Sequence, residues 1–384
     1  MYFEFATATR IIFGTGALWE AGELAASMGA TALVVTGSTK ERATSLLARL
    51  EHAGVAHHIL HVPGEPTIEL AREGTAQARE TGCDLVIGIG GGSALDTGKA
   101  IAALLTNEGD PLDYLEVIGE GKALTHPSLP YIAIPTTAGT GAEVTRNAVL
   151  ASREHRVKVS LRSPTMLPRV ALIDPALTYN MPPDVTAQTG LDALSQVIEP
   201  YLSARSNPLI DAICREGIRL ASHALRFAYH DAEDTEARAN MCLASLFGGL
   251  ALANAGLGAV HGFAAPFGGM FDAPHGAVCA ALMPSVMAVN YRALQARKPD
   301  HNTLWRFTEV AQLLTGNPQA TVEEGTAWLA DLTLELHVPG LDAYDFTEAD
   351  FDALIEKASV SSSMRANPIE LTPEEMREIL TGSL

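Results

Sequence analysis

Residues 190–200 read GLDALSQVIEP. Asp192, Gln196 and Glu199 stand there at i, i+4 and i+7, which stacks their side chains on one stripe of a helix. Leu191, Leu194, Val197 and Ile198 mark the same helix as buried. A buried carboxylate without a partner is costly, so the stripe is expected to meet a metal ion, a substrate or solvent. Of the twelve histidines, His261 and His275 stand out. They lie in GAVHGFAAPFGGMFDAPHGAVCAALMP (258–284), an apolar, glycine-rich passage where imidazoles need partners. Each taken singly reads as a hydrogen-bonded core histidine. With Asp192 they make three donors that suit a divalent cation and leave positions open for a substrate oxygen.

Two glycine-rich passages carry a second kind of chemistry. In GIGGGSALDTGKA (88–100) a strand gives way to a helix; consecutive glycines allow close backbone approach, and a helix N-terminus offers unpaired N–H groups to an anion. Ser93 is placed to cap that helix, with Asp96 three residues on in a capping-box position. The dinucleotide pattern GxGxxG fails because Ser93 stands where its last glycine belongs, and GxxxxGK[ST] fails at Ser93 and Ala100. A phosphate cradle and a tight turn both remain open. IPTTAGTGAEVT (134–145) presents Thr136, Thr137, Thr140 and Thr145, either as donors to phosphate or ribose or as the caps of a loop.

The elements that must position these residues fall into two grammars. Up to about residue 175, short β-branched runs (32–37, 57–62, 83–93, 131–137 and 170–175) alternate with helical stretches, which implies βαβ units and a mostly parallel sheet covered on both faces. From 183 onward nearly every stretch has helical spacing. The expected class is α/β plus all-α: a Rossmann-like domain over 1–177 and a helical domain over 178–384, with the ligand expected where they meet, at the carboxyl ends of the strands.

Composition narrows the class further. With 384 residues, 47% hydrophobic and 18% charged, the chain can build two substantial cores. A formal net charge of −19 argues against gripping nucleic acid or an anionic membrane. The four cysteines (Cys83, Cys214, Cys242 and Cys279) form no CxxC pair and read as reduced core thiols. No secretion signal is apparent, and the apolar runs are interrupted short of the ~20 residues of a membrane helix. A cytoplasmic protein is expected.

Taken together, GGGSALDTGKA, IPTTAGTGAEVT, GLDALSQVIEP and HGFAAPFGGMFDAPHG resemble the iron-containing, group III alcohol dehydrogenase family over essentially the whole chain. The resemblance implies NAD(P)-dependent interconversion of small alcohols with aldehydes or ketones, and a divalent metal, Fe or Zn, held by the helical domain. It carries metal-ligand roles onto Asp192, His261 and His275, which are also the catalytic candidates. The family's second ligand, a histidine, falls on Gln196, whose neutral amide oxygen is a weaker donor than imidazole. A further histidine of the family falls on Ala265. Three readings stay open: metal held with Gln196 coordinating weakly, an empty site in which the histidines polarise the carbonyl, or a non-catalytic dinucleotide-binding relative.

By the same resemblance, Gly91, Gly92 and Ser93 approach the pyrophosphate, while Thr136, Thr137 and Lys158 approach the nicotinamide ribose. Thr140, Thr145 and Asp96 belong to the same two motifs. Relatives that prefer NAD often carry an acid after the second strand; here Gly37 and Ser38 stand there, followed by Lys40 and Arg42, so NADP is expected to be accepted beside NAD. The resemblance also suggests a homodimer. Dehydroquinate synthase and glycerol-1-phosphate dehydrogenase are less similar, because passage 258–284 has no Arg or Lys for an anionic substrate; a maleylacetate reductase is the runner-up.

Overall fold

The computed structural model describes residues 2–155 and 157–384, with Lys40 described through its backbone only. The chain divides into two compact units. One comprises Ala6–Thr137 and Gly141–Tyr179; the other comprises Asn180–Leu384 with the N-terminus through Phe5 and the short segment Ala138–Thr140.

The first unit runs β1 (Arg10–Phe13), α1 (Ala21–Ala26), β2 (Thr31–Thr36), α2 (Thr44–His52), β3 (Ala56–His61), α3 (Ile68–Glu80), β4 (Leu85–Gly90), α4 (Gly92–Thr106), α5 (Pro111–Tyr114), β5 (Tyr131–Pro135), β6 (Asn147–Ser152), β7 (Val157–Arg162) and β8 (Val170–Ile173). Six strands form one sheet in the order β3-β2-β4-β5-β8-β1, every neighbouring pair parallel. Period-two alternation sends Ala32, Val34, Leu85, Ile87 and Ile89 to one face, against Ala21, Ala25, Leu46 and Leu50 of α1 and α2. Leu33, Val35 and Val86 pack on the other, against Ala78 of α3 and Leu95 and Ile101 of α4. With both faces covered, β4 is buried along its whole length, which is why its sequence is an unbroken apolar run. β6 and β7 form a separate antiparallel hairpin, and β1 is an edge strand paired only to β8; neither is marked in the sequence by alternation with helices.

The turn from β4 into α4 departs from expectation. Gly91, in extended conformation, is the N-cap, no side chain caps the helix, and Ser93 already lies inside it. Asp96 caps nothing. Its Oδ2 accepts from Val149 N at 3.0 Å on β6, and its Oδ1 accepts from Lys99 Nζ at 3.2 Å. Lys99, 1% exposed, also donates to Thr145 Oγ1 at 2.9 Å and to the Asn147 carbonyl at 2.7 Å. This buried network ties α4 to the hairpin. Glu143 is buried nearby, and burial pushes its carboxyl up to about 7 against the pull of Lys99.

The second unit is helical: α6 (Pro183–Leu202), α7 (Pro208–His230), α8 (Thr235–Ala255), α9 (Ala259–Met270), α10 (His275–Arg297), α11 (Thr303–Thr315), α12 (Val322–Glu335), α13 (Phe351–Ser359) and α14 (Pro373–Thr381). α6 is its axis, packed by α7, α8 and α10, and every residue from Gly190 to Leu202 is buried. α10, at 23 residues, is long and apolar enough by length and composition to cross a membrane, contrary to the reading of the apolar runs as too short. Its apolar window is 72% buried, and α10 packs on α6, α9, α12 and α14, which accounts for the composition.

Two outcomes follow from the first unit. Gly90 has φ 156°, and a Cβ there would lie 2.7 Å from Ala94 Cβ and 3.1 Å from Gly37 N. Gly90→Ala is expected to cost about 1–3 kcal/mol in urea denaturation, whereas Gly64→Ala, with nothing within 4 Å, stays within about 0.5 kcal/mol. Glu143 binds more protons folded than unfolded, so its contribution to stability is whole below about pH 4.5 and is lost as pH rises through about 7. In denaturation midpoints read across that window, Glu143→Gln flattens the decline.

Candidate metal and dinucleotide sites

The polar stripe of α6 has protein partners. Asp192 and Gln196 are 2% exposed and Glu199 5%. Glu199 is held by the start of α9: its Oε1 accepts from Val260 N at 2.7 Å, and its Oε2 lies 2.6 Å from His261 Nδ1. With Nδ1–H donated to Glu199, the ring presents Nε2 to Asp192 Oδ1 at 3.2 Å. From α10, His275 brings its Nε2 to 3.9 Å from the same Asp192 oxygen, and the two imidazole rings lie 5.3 Å apart. The three sequence candidates Asp192, His261 and His275 therefore come together from three helices.

A fourth group joins them, one whose residue type reads as core packing. Cys279 is fully buried, and its Sγ lies 3.6 Å from His275 Nε2 and 3.8 Å from His261 Nε2. One ligand atom from each of Asp192, His261, His275 and Cys279 falls within 4.8 Å of all the others. The available signal was spacing: Cys279 follows His275 by four residues and so shares its helix face. Gln196 turns its amide nitrogen to the Gly139 carbonyl at 2.9 Å and to Asp192 Oδ2 at 3.3 Å. Ala265 lies on α9 and adds no imidazole.

Glycines allow the close approach. A Cβ at Gly276 would stand 2.1 Å from the Gln188 carbonyl oxygen of α6, so the start of α10 lies directly on the α6 backbone. At Gly258 a Cβ would meet Glu199 Oε1 at 2.8 Å.

Electrostatically the four groups support one another's charged forms. Burial alone would raise the Asp192 carboxyl, but the His261 hydrogen bond and the His275 charge hold it below its ordinary value. Burial opposes a charged His261, yet Cys279 and the bond to Asp192 lift it well above the ordinary imidazole range. His275 is raised against the same opposition by Cys279. Burial would raise the Cys279 thiol, and the two imidazoles bring it down. With their inward protons displaced, the two imidazole nitrogens join one carboxylate and one thiolate in a donor set that fits a divalent cation, with Asp192, His261 and Cys279 buried and His275 part-exposed.

In the first unit, the strand order reverses between β2 and β4, the position at which open α/β sheets bind ligands beyond their carboxyl ends. Gly37 and Gly90 stand there, with Gly37 N donating to the Ile89 carbonyl at 3.3 Å. Thr136 N donates to the Gly90 carbonyl at 2.9 Å, and a Cβ at Gly91 would lie 3.4 Å from Thr137 Oγ1. Gly37, Gly91, Gly92, Ser93, Thr136 and Thr137 thus share one corner, at a helix start with unpaired N–H groups. Ser38 is exposed just beyond it. The remaining candidates go elsewhere. Asp96 and Thr145 belong to the Lys99 network, and Lys158 pairs with Glu65 at 3.0 Å. Thr140 falls in the short segment grouped with the helices. Arg42 Nη1 lies 3.4 Å from the Thr136 carbonyl and 3.5 Å from that of Leu177; the Lys40 side chain lies outside the described residues.

Comparison with known proteins identifies the family. Residues 8–175 match the family model for iron-containing alcohol dehydrogenase, and residues 186–384 match the C-terminal model of the Fe-containing alcohol dehydrogenase family. The chain is 38% identical over 316 residues to alcohol dehydrogenase 4 of Saccharomyces cerevisiae, covering 82% of this chain and 80% of that protein. It is 35% identical over 380 residues to 1,3-propanediol dehydrogenase of Klebsiella pneumoniae, covering 96% and 95%. A crystal structure of 1,3-propanediol oxidoreductase superposes over all of both chains, with TM-score 0.92 and 32% identity. A parallel-sheet unit followed by a helical unit is the shared architecture, and the chain belongs to the iron-containing alcohol dehydrogenase family, oxidoreductases that act on CH–OH groups.

Proposed function

We propose that the protein interconverts a small, neutral alcohol and its aldehyde by hydride transfer between the substrate carbon and C4 of the nicotinamide, using NADP(H) as well as NAD(H). The observation that carries this reading is the convergence of Asp192, His261 and His275, from three helices, on one buried point. A divalent cation held there would supply Lewis-acid polarisation of a substrate oxygen added to its protein ligands. Glu199 keeps His261 in the tautomer whose Nε2 faces inward. The burial of Asp192, His261 and Cys279 keeps water away and so strengthens each charge–charge term at the reacting centre. Passage 258–284 contains no Arg or Lys, which favours an uncharged substrate over a dicarboxylate or a phosphate ester.

Gly91, Gly92 and Ser93 are assigned to the pyrophosphate, at the start of α4, and Thr136 and Thr137 to the ribose beside it. Gly37, at the end of β2, brings no carboxylate to repel a 2′-phosphate. Lys158, paired with Glu65, reaches a cofactor only by giving up that partner. From the family resemblance, we carry over a homodimer and a cytoplasmic setting.

The direct test follows NAD(P)H oxidation with a panel of aldehydes. Asp192→Ala and His275→Ala are expected to lower kcat by about 10²–10³-fold while leaving cofactor affinity, read by fluorescence titration, within about threefold. Equal loss of both would point to a damaged fold and remove the assignment. In steady-state kinetics, kcat/KM with NADPH is expected within about tenfold of that with NADH, a difference below ~1.4 kcal/mol; a preference for NADH of about 100-fold or more overturns the reading of Gly37.

A further inference from the structure

Gln196 stands where the resemblance calls for an imidazole ligand, and its hydrogen bonds show another role. Both atoms facing its amide nitrogen, the Gly139 carbonyl oxygen at 2.9 Å and Asp192 Oδ2 at 3.3 Å, are acceptors. Turning the amide over would set oxygen against two oxygens, so the nitrogen belongs where it is. Gln196 therefore steadies Asp192 from the side, with its amide nitrogen committed to two protein acceptors. The donor missing from α6 is replaced from α10. Cys279, one turn after His275, puts Sγ within 3.6 and 3.8 Å of the two imidazole nitrogens. A tetrahedral ion bound by O, N and S at ordinary bond lengths has donor–donor edges of about 3.3–3.6 Å. Four edges of the cluster measure 3.2, 3.6, 3.8 and 3.9 Å.

We propose that Cys279 is a metal ligand that takes the place of the imidazole lost at Gln196, making an Asp192–His261–His275–Cys279 centre that selects Zn²⁺ over Fe²⁺. The count of four protein ligands is kept while one imidazole becomes a thiolate, a softer donor suited to Zn²⁺, which also binds N/S sites more tightly than Fe²⁺. Binding would release to solvent whatever protons the Cys279 thiol and the inward imidazole nitrogens hold. Glu199, fixed on His261 Nδ1 at 2.6 Å, is the outer carboxylate that orients a ligating imidazole. The proposal rests on reading this cluster as the metal centre of the dehydrogenase, and its test therefore reads the metal directly.

The full-length protein, stripped by chelation, is titrated with Co²⁺ and with Zn²⁺. One equivalent of Co²⁺ is expected to give a near-ultraviolet thiolate-to-Co(II) charge-transfer band that is absent from Cys279→Ser. Cys279→Ser is expected to lose more Zn²⁺ affinity than the ~10–100-fold typical of an outer-shell change, for which Glu199→Gln is the comparison. Adding Gln196→His to Cys279→Ser should restore Zn²⁺ affinity without the band. Circular dichroism checks that each variant folds, with Cys279→Ala as the alternative should the serine variant fail. Cobalt bound without the band, a band that survives in Cys279→Ser, or retention of Fe²⁺ against equimolar Zn²⁺ overturns the proposal. Aldehyde reduction without the band overturns the thiolate ligand and leaves the function standing; the band without aldehyde reduction upholds the ligand and overturns the function.

Discussion

The helical unit is organised around one constraint: an imidazole on α9 held between two carboxylates of α6. Glu199 and Asp192 are buried and separated by two helical turns, and His261 bridges them with one ring nitrogen to each. Without that ring each carboxylate would lose a close, charge-bearing partner, and without Glu199 the ring would lose the bond that fixes its Nδ1 side. The Val260 amide, which also donates to Glu199, sets the entry of α9 at the same point. The placement of His275 and Cys279 then depends on how α10 lies against α6.

The parallel-sheet unit uses the complementary strategy of absent side chains. Where strand order reverses, Gly37 and Gly90 leave the backbone bare, and the Thr136 amide closes the corner by bonding Gly90. Behind that corner, a lysine that is 1% exposed joins α4 to the hairpin through Asp96, Thr145 and Asn147. A buried charged network is an expensive way to fix a helix, and here it anchors α4 to β6 behind its N-terminal glycines.

Much of this was legible in the residues. Strands β2, β3, β4, β5 and β8 show as short apolar runs because a sheet covered on both faces needs them to be so. Asp192, His261 and His275 were legible because charged or polar groups in apolar passages demand partners. Other features had no local signal. β1 is four residues long, and its partner, β8, lies about 160 positions away. Ser93 looked like a cap because serine favours that role, but the run of glycines let the helix start earlier, at Gly92. Asp96 looked like a capping-box acid, yet a lysine one turn on and an amide on β6 compete for it and win. Cys279 was hidden by its type: a lone cysteine in an apolar helix is ordinarily filler, and only its four-residue distance from His275 marks it.

Gly276 carries no functional group, yet it sits between the two α10 donors, His275 and Cys279, with its α-carbon against the Gln188 carbonyl. Any side chain there would lift both donors away from Asp192 together, as a wedge lifts two pegs on one board. A saturation-mutagenesis map of this enzyme would consequently score that glycine among the most intolerant positions. A reader ranking intolerance alone would credit it with a chemistry of its own, when its place is to let α10 close on α6.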